Sequence, residues 1–363
     1  MARFPLPPGS TIGVLGGGQL GRMMALAAGR LGLRTVVLDP EADCPAAPFS
    51  TRVVTAPYDD AEGLKALAEA CDVVTFEFEN VPAASVQRLL DMGAEVAPGA
   101  RALAVAQDRI EEKTFLNAVG APTVAFAEVS TAGQAAEAIR LLGAPCLMKT
   151  RREGYDGKGQ TWVEHAADGA AAFARLGGKP AIIEAPADFT RELSVIAARS
   201  RTGEIAHFPL GENHHENGIL RRTHAPAEAS RAKVEQARQI VARILSALEY
   251  VGVIGVELFE LKDGRLLVNE FAPRVHNSGH WTLDGCEVDQ FEQHVRAIAG
   301  WPLGPTNALA QTEMTNLIGD EADDWTKLAA DPTARLWLYG KREARPGRKM
   351  GHVNRLRPLK DWG

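Results

Sequence analysis

Residues 251–271 read VGVIGVELFELKDGRLLVNEF, two apolar runs joined by Lys262-Asp263-Gly264-Arg265. Asp-Gly favours a two-residue hairpin turn, so Lys262 is expected to face Arg265. Counting outward in step then sets Glu257 directly opposite Glu270 on one face of the ribbon. Opposed Cβ atoms in such a pair lie about 4.5–5.5 Å apart, where like charges are destabilising. A hard divalent cation reverses that sign, and Mg²⁺ held by carboxylates and phosphates fits. The plainer alternative is two solvated carboxylates on a sheet edge, against which the flanking apolar runs weigh. A longer turn would shift this register.

Ala272-Pro273-Arg274-Val275-His276-Asn277-Ser278-Gly279-His280 follows at once and is dense in hydrogen-bond donors. It suits a loop gathered around an anionic intermediate, or an ordinary satisfied loop. His276 and His280 have metal-pair spacing only on a continuous helix, which Pro273 and Gly279 oppose. Upstream, 145–149, 161–164, 181–185, 192–198 and 204–210 read as strands, and 107–120 and 227–249 as helices. This middle region mixes the two without strict alternation, as in an α+β unit.

The first hundred residues differ. Short apolar runs at 11–15, 34–38 and 73–79 alternate with helical patterns, which predicts a parallel sheet with right-handed crossovers, closing near Pro98-Gly99. Gly16, Gly18 and Gly21 follow the first run with GxGxxG spacing, and Asp39 ends the second. That pattern leaves three readings open: a dinucleotide site, a site for another ligand, or a tight structural turn. A second glycine-rich stretch, Arg151-Arg152-Glu153-Gly154-Tyr155-Asp156-Gly157-Lys158-Gly159-Gln160, lies between two strands. Flexible backbone with positive charge suits a lid over phosphates, with a solvated hairpin turn as the alternative. Near the end, Lys341 to His352 carries clustered cations around Pro346-Gly347, fit to grip a phosphate or simply to face solvent.

Composition narrows the classes. The chain has 363 residues, 24% of them charged, and a net charge of −6, which argues against coating nucleic acid. No apolar run is long enough for a membrane span. The opening MARFPLPPGST lacks the pattern of a secretory signal. Cys44, Cys71, Cys146 and Cys286 form no CxxC pair, so reduced thiols in a cytoplasmic protein are expected.

Taken in order, LGGGQLGRM (15–23), TFEFENV (75–81), GYDGKGQ (154–160), NEFAPRVHNSGHWT (269–282) and RPGRKMGH (345–352) resemble the ATP-grasp enzymes. Within them they are most similar to the 5-(carboxyamino)imidazole ribonucleotide synthases of purine biosynthesis, over nearly the whole chain. The resemblance implies an ATP-grasp fold: a Rossmann-like pre-ATP-grasp domain (1–103), a nucleotide-binding domain (104–300) and a small C-terminal domain (301–363). It implies a carbon–nitrogen ligase that uses ATP, Mg²⁺ and bicarbonate to carboxylate the exocyclic amine of 5-aminoimidazole ribonucleotide (AIR). A homodimer is implied, and no nucleic-acid or membrane partner.

Carried over by position, the resemblance implies nucleotide contacts from Arg109, Lys149, the lid Gly154, Tyr155, Asp156, Gly157, Lys158, Gly159 and Gln160, the segment Glu184, Ala185, Pro186 and Ala187, and Glu192, His215, Asn269 and Glu270. Glu257 and Glu270 are the implied Mg²⁺ ligands. Tyr155, Asp156 and Lys158 would face AIR, Glu77 or Glu79 its ribose, and Lys341, Arg348 and Lys349 its phosphate. Arg274, His276, Asn277 and Ser278 would surround carboxyphosphate and CO₂, with Asp156 orienting or deprotonating the amine. Ala272 departs from the wider superfamily, which often has Asn there. Three rivals follow from the same residues: a formate-dependent glycinamide ribonucleotide transformylase, which HNSGHW at 276–281 argues against; an NAD-linked oxidoreductase built on Gly16–Gly21 and Asp39; and a non-enzymatic nucleotide-sensing or scaffold protein of ATP-grasp shape, which would bind ATP yet release no ADP.

Overall fold

The computed structural model describes residues 4–152, 154 and 159–359. Its strands form three sheets. The first is four-stranded and parallel, in the order Arg52–Thr55, Arg34–Asp39, Thr11–Leu15, Val73–Phe76. Three of its strands are the apolar runs read above. The fourth, Arg52–Thr55, is a short edge strand with one buried residue, too weak a pattern to read. Helices Gln19–Arg30 and Ala61–Ala70 make the crossovers, burying Leu20, Met23, Met24, Leu64 and Leu67 against the sheet.

The strand expected over 73–79 stops at Phe76. Glu77, the next residue, turns its carboxylate to the loop at 16–21.

The second sheet runs Phe126–Val129, Ala181–Glu184, Cys146–Thr150, Gln160–Val163, all antiparallel. Helices Ala132–Leu142 and Gly169–Arg175 supply Ala135, Ile139, Ala172 and Phe173 to its core. The third sheet has nine strands. Its main path is Leu266–Ala272, Gly252–Leu261, Phe189–Arg199, Gly211–Glu216, Ile219–Ala225, Gln311–Ile318, Lys349–Arg357, Ala334–Leu338, and Ile205–His207 pairs with Phe189–Arg199. Helix Arg231–Ala247 packs Ile240, Val241, Ile244 and Leu245 into the core beside it.

Two features of this sheet escaped the sequence reading. Strands Gly211–Glu216 and Ile219–Ala225 are joined by Asn217-Gly218, both at positive φ (53° and 78°). Asn-Gly is a strong short-range hairpin signal, and it was there to be read. The tail does not stand apart as a sheet of its own. Gln311–Ile318 pairs with Ile219–Ala225, so the sheet runs unbroken from the central region into the C-terminal strands. The strand expected over 204–210 is confined to Ile205–His207.

Candidate active site

Glu257 does pair with Glu270, by a route the sequence concealed. The turn is three residues long: Leu261 N donates to Arg265 O, and Gly264 sits at φ +82° between them. That arrangement is a type I turn closed by a left-handed glycine. Alone it would shift the pairing by one residue and set Glu257 opposite Asn269. A bulge between Leu258 and Glu257 takes up Asn269 and restores the expected partner. Asn269 Nδ2 then lies 3.4 Å from Glu257 Oε2. Burial, and then Glu270, push the Glu257 carboxyl up to about 7. Two oxygen-donor groups thus share one face of the cleft, and burial with mutual repulsion disfavours charging both at once.

Cations line the same cleft. Arg109 opens helix Arg109–Ala118, whose N-cap Asp108 accepts from Ile110 N and Glu111 N and pairs with Arg151 (2.7 Å) and Arg152 (2.9 Å). The Arg109 guanidinium reaches Glu270 (3.2 Å) and the carbonyl of Gly154 (2.7 Å). Arg274 and His276 enter from the loop after Glu270. Arg274 is paired with Glu79 through Nε, and its Nη1 donates to Val275 O. Burial opposes ionisation of Glu79, but Arg274 outweighs it and holds that carboxyl at about 2. His276 packs over Gly255, where an added Cβ would lie 2.5 Å from that of His276. Burial, with Arg274 and Lys349 nearby, lowers the imidazole to about 3, so His276 is neutral. Its Nδ1 meets Ser278 Oγ at 2.9 Å.

The residues that the resemblance sets around the nucleotide are paired with one another. Glu184 lies 2.8 Å from Lys149 and 3.1 Å from Lys113. Burial raises the Glu184 pKa, but the two lysines outweigh it and hold the carboxyl below its ordinary range. Ala185, Pro186 and Ala187 follow as a partly exposed connection, with Ala185 N donating to Ala125 O. Glu192 and His215 face each other at 3.0 Å. Asn277 makes a reciprocal amide pair with Asn316, at 2.9 and 2.8 Å. Lys341 Nζ donates to Lys349 O, and Arg348 Nη1 to Glu343 O. Gly159 and Gln160 are described, with Gln160 opening the last strand of the second sheet. Tyr155, Asp156, Gly157 and Lys158 lie outside the described residues.

The glycine-rich loop at 16–21 corrects the dinucleotide reading. Its amides are already occupied: Glu77 accepts from Gly18 N (3.0 Å), Leu20 N (3.1 Å) and Gly21 N (3.0 Å). An anion does sit at this helix N-terminus, as the dipole favours, but it is the chain's own carboxylate. A Cβ on Gly18 would collide with it. Asp39, the supposed ribose carboxylate, accepts instead from Gly17 N, Glu41 N and Tyr58 OH. Of the two acids expected near a ribose, Glu79 lines the cleft and Glu77 is buried behind it.

Sequence reasoning missed Glu112 and Lys113. Both are buried, and Glu112 lines the cleft. With Arg109 they fall at i, i+3 and i+4 on one helix face, a spacing that was available. Asn316 and Gln290 were also missed. Asn316 reaches Asn277 from another strand, and Gln290 accepts from His276 N and donates to His276 O from the start of a following helix, so no local pattern marks them.

Three family models match the chain. An ATP-grasp domain model covers residues 114–291, a ribonucleotide synthetase preATP-grasp domain model residues 10–107, and a phosphoribosylaminoimidazole carboxylase C-terminal domain model residues 312–361. The chain is 49% identical over 360 residues to an N5-carboxyaminoimidazole ribonucleotide synthase from Brucella melitensis, spanning 99% of both. Among solved structures it is similar to an N5-carboxyaminoimidazole ribonucleotide synthetase in complex with ADP. The TM-score is 0.94 at 41% identity, covering 98% of this chain and 95% of the other. An Aspergillus clavatus synthase in complex with ADP and 5-aminoimidazole ribonucleotide gives 0.91 at 32% identity, covering 97% and 94%.

Proposed function

The chain belongs to the N5-carboxyaminoimidazole ribonucleotide synthases, ATP-grasp ligases of an ATP-dependent step in purine biosynthesis, and from that premise we propose how its cleft performs the reaction. The observation that carries the proposal is the pairing of Glu257 with Glu270 in one cleft with Arg109, Arg274 and His276. Two opposed carboxylates, one raised above its usual range by burial and by the charge of the other, form a donor set that fits a hard divalent cation. Glu257 and Glu270 would hold Mg²⁺, which when bound neutralises charge on the ATP phosphates.

ATP would lie with its adenine near Glu184–Ala187, its ribose at Glu192 and its phosphates toward Lys149, Arg109 and the 154–160 lid. His215 and Asn269 would complete that site. Bicarbonate oxygen attacks the γ-phosphorus, the bond to the ADP oxygen breaks, and carboxyphosphate forms. Its carbon–oxygen bond then breaks to give CO₂ and phosphate, and the AIR amine adds to CO₂ with loss of a proton. Arg274, fixed by Glu79, would face the charge on the transferring group. Neutral His276 offers a hydrogen bond without adding charge, with Asn277 and Ser278 beside it. Tyr155, Lys158 and Glu79 would bind AIR, Lys341, Arg348 and Lys349 its phosphate, and Asp156 would take or orient the amine proton. Most of the acceleration comes from positioning and charge neutralisation.

A division into 1–103, 104–300 and 301–363 and a cytoplasmic homodimer complete the proposal. Among the described residues no helix is long and apolar enough to cross a membrane. The test is ADP release with AIR, with glycinamide ribonucleotide or with no acceptor, each with and without bicarbonate. Strong release is expected only with AIR and bicarbonate together. Equal release without bicarbonate would overturn the carboxyphosphate route.

A further inference from the structure

Strand Leu266–Ala272, which carries Glu270, is the outer strand of the nine-stranded sheet. One row of its peptide groups has no neighbouring strand, and buried groups of that kind need partners. Helix Arg109–Ala118 supplies two of them from adjacent side chains, beside Pro122 O, which accepts from Val268 N at 2.7 Å. Lys113 Nζ donates to Asn269 O at 3.1 Å, and Glu112 Oε1 accepts from Phe271 N at 2.7 Å. The first is the carbonyl of the peptide entering Glu270, and the second is the amide of the peptide leaving it. Both side chains are almost wholly buried, at 2% and 3% exposure. One turn earlier on the same face, Arg109 meets the Glu270 carboxylate itself.

We propose that Glu112 and Lys113 are positioning residues, a two-point clamp on the peptides either side of Glu270 that fixes where its carboxylate stands opposite Glu257. The clamp grips the strand at its bulge. A bulged outer strand has lost part of its ladder, and a one-residue slip would turn Glu270 to the other face. Lys113 also pairs with Glu184, so its replacement would disturb the adenine side as well. Glu112 is therefore the residue to test.

The inference rests on reading Glu257 and Glu270 as the metal-holding pair, and the experiment separates the two. ADP binding is measured by calorimetry with and without Mn²⁺ for the parent chain and for Glu112→Ala, Glu112→Met and Glu112→Gln. In the parent, Mn²⁺ should tighten ADP binding. Glu112→Ala should lose about tenfold of the Mn²⁺-dependent affinity, with metal-free ADP binding unchanged within about twofold. Glu112→Met fills the volume without an acceptor and should do the same if the alanine variant fails to fold. Glu112→Gln keeps the acceptor and should restore most of the affinity. Retained Mn²⁺ enhancement in both apolar variants, an equal loss without metal, or a glutamine variant as weak as alanine would overturn the clamp. No Mn²⁺ enhancement in the parent would overturn the metal reading, and the clamp with it.

Discussion

Replacing Glu77 by alanine removes the acceptor for three backbone amides at once, those of Gly18, Leu20 and Gly21. A buried donor left unpaired costs about 1–3 kcal/mol. Water can enter the space the side chain leaves, so the lower end applies, about 1 kcal/mol for each donor and about 3 kcal/mol in all. A chain of this size need not unfold in one step, so the loss is best read locally. Hydrogen exchange followed by mass spectrometry over residues 15–24 should show opening favoured about a hundredfold, since 1.4 kcal/mol is a factor of about ten. Glu77→Gln keeps one oxygen and should cost less than alanine. Unchanged exchange in this segment, together with a large rise in KM for AIR, would refute the reasoning. It would mean that Glu77 serves the nucleotide rather than the loop.

Glu270→Ala should abolish most AIR-dependent ADP release while leaving far-ultraviolet circular dichroism unchanged; near-normal turnover would remove the metal-holding role. Gly255→Ala should lower turnover at least tenfold, because the new methyl meets the His276 Cβ and displaces the loop from Arg274 onward; a crystal structure of the variant would show the shift. His294 links Thr75 Oγ1 (2.9 Å) to Val253 N (3.0 Å), and burial lowers its pKa from 6.5 to about 4. Val253 N can only donate, so Nδ1 must be unprotonated in the fold. The folded pKa lies below the unfolded one, so its contribution is complete above about pH 6.5 and is lost as pH falls toward 4. The imidazole resonance of His294 should accordingly not titrate above pH 5.5, as NMR would report.

The sequence carried a good part of the site. The apolar runs around Lys262–Arg265 located the hairpin, and the donor-rich loop from Ala272 to His280 lay directly after it. The pairing of Glu257 with Glu270 came out as read, yet two departures had to cancel: a turn one residue longer, and a bulge that consumed Asn269. Neither leaves a periodic trace, because a bulge is a property of two strands together. The glycine loop shows the opposite case. GxGxxG spacing lets backbone come close to an anion but does not say which one, and Glu77 lies 56 to 59 residues away.

What the sequence determined by itself is what depends on neighbours along the chain: strand and helix periods, the place of the hairpin between Leu261 and Arg265 though not its turn length, and the order of the charged motifs. Only the tertiary structure decided which charges meet. Lys113 and Lys149 close on Glu184, Arg274 on Glu79, and Asn277 on Asn316. Such contacts are selected by the high cost of leaving a buried charge or amide unpaired, and that cost is set by packing between segments distant in sequence.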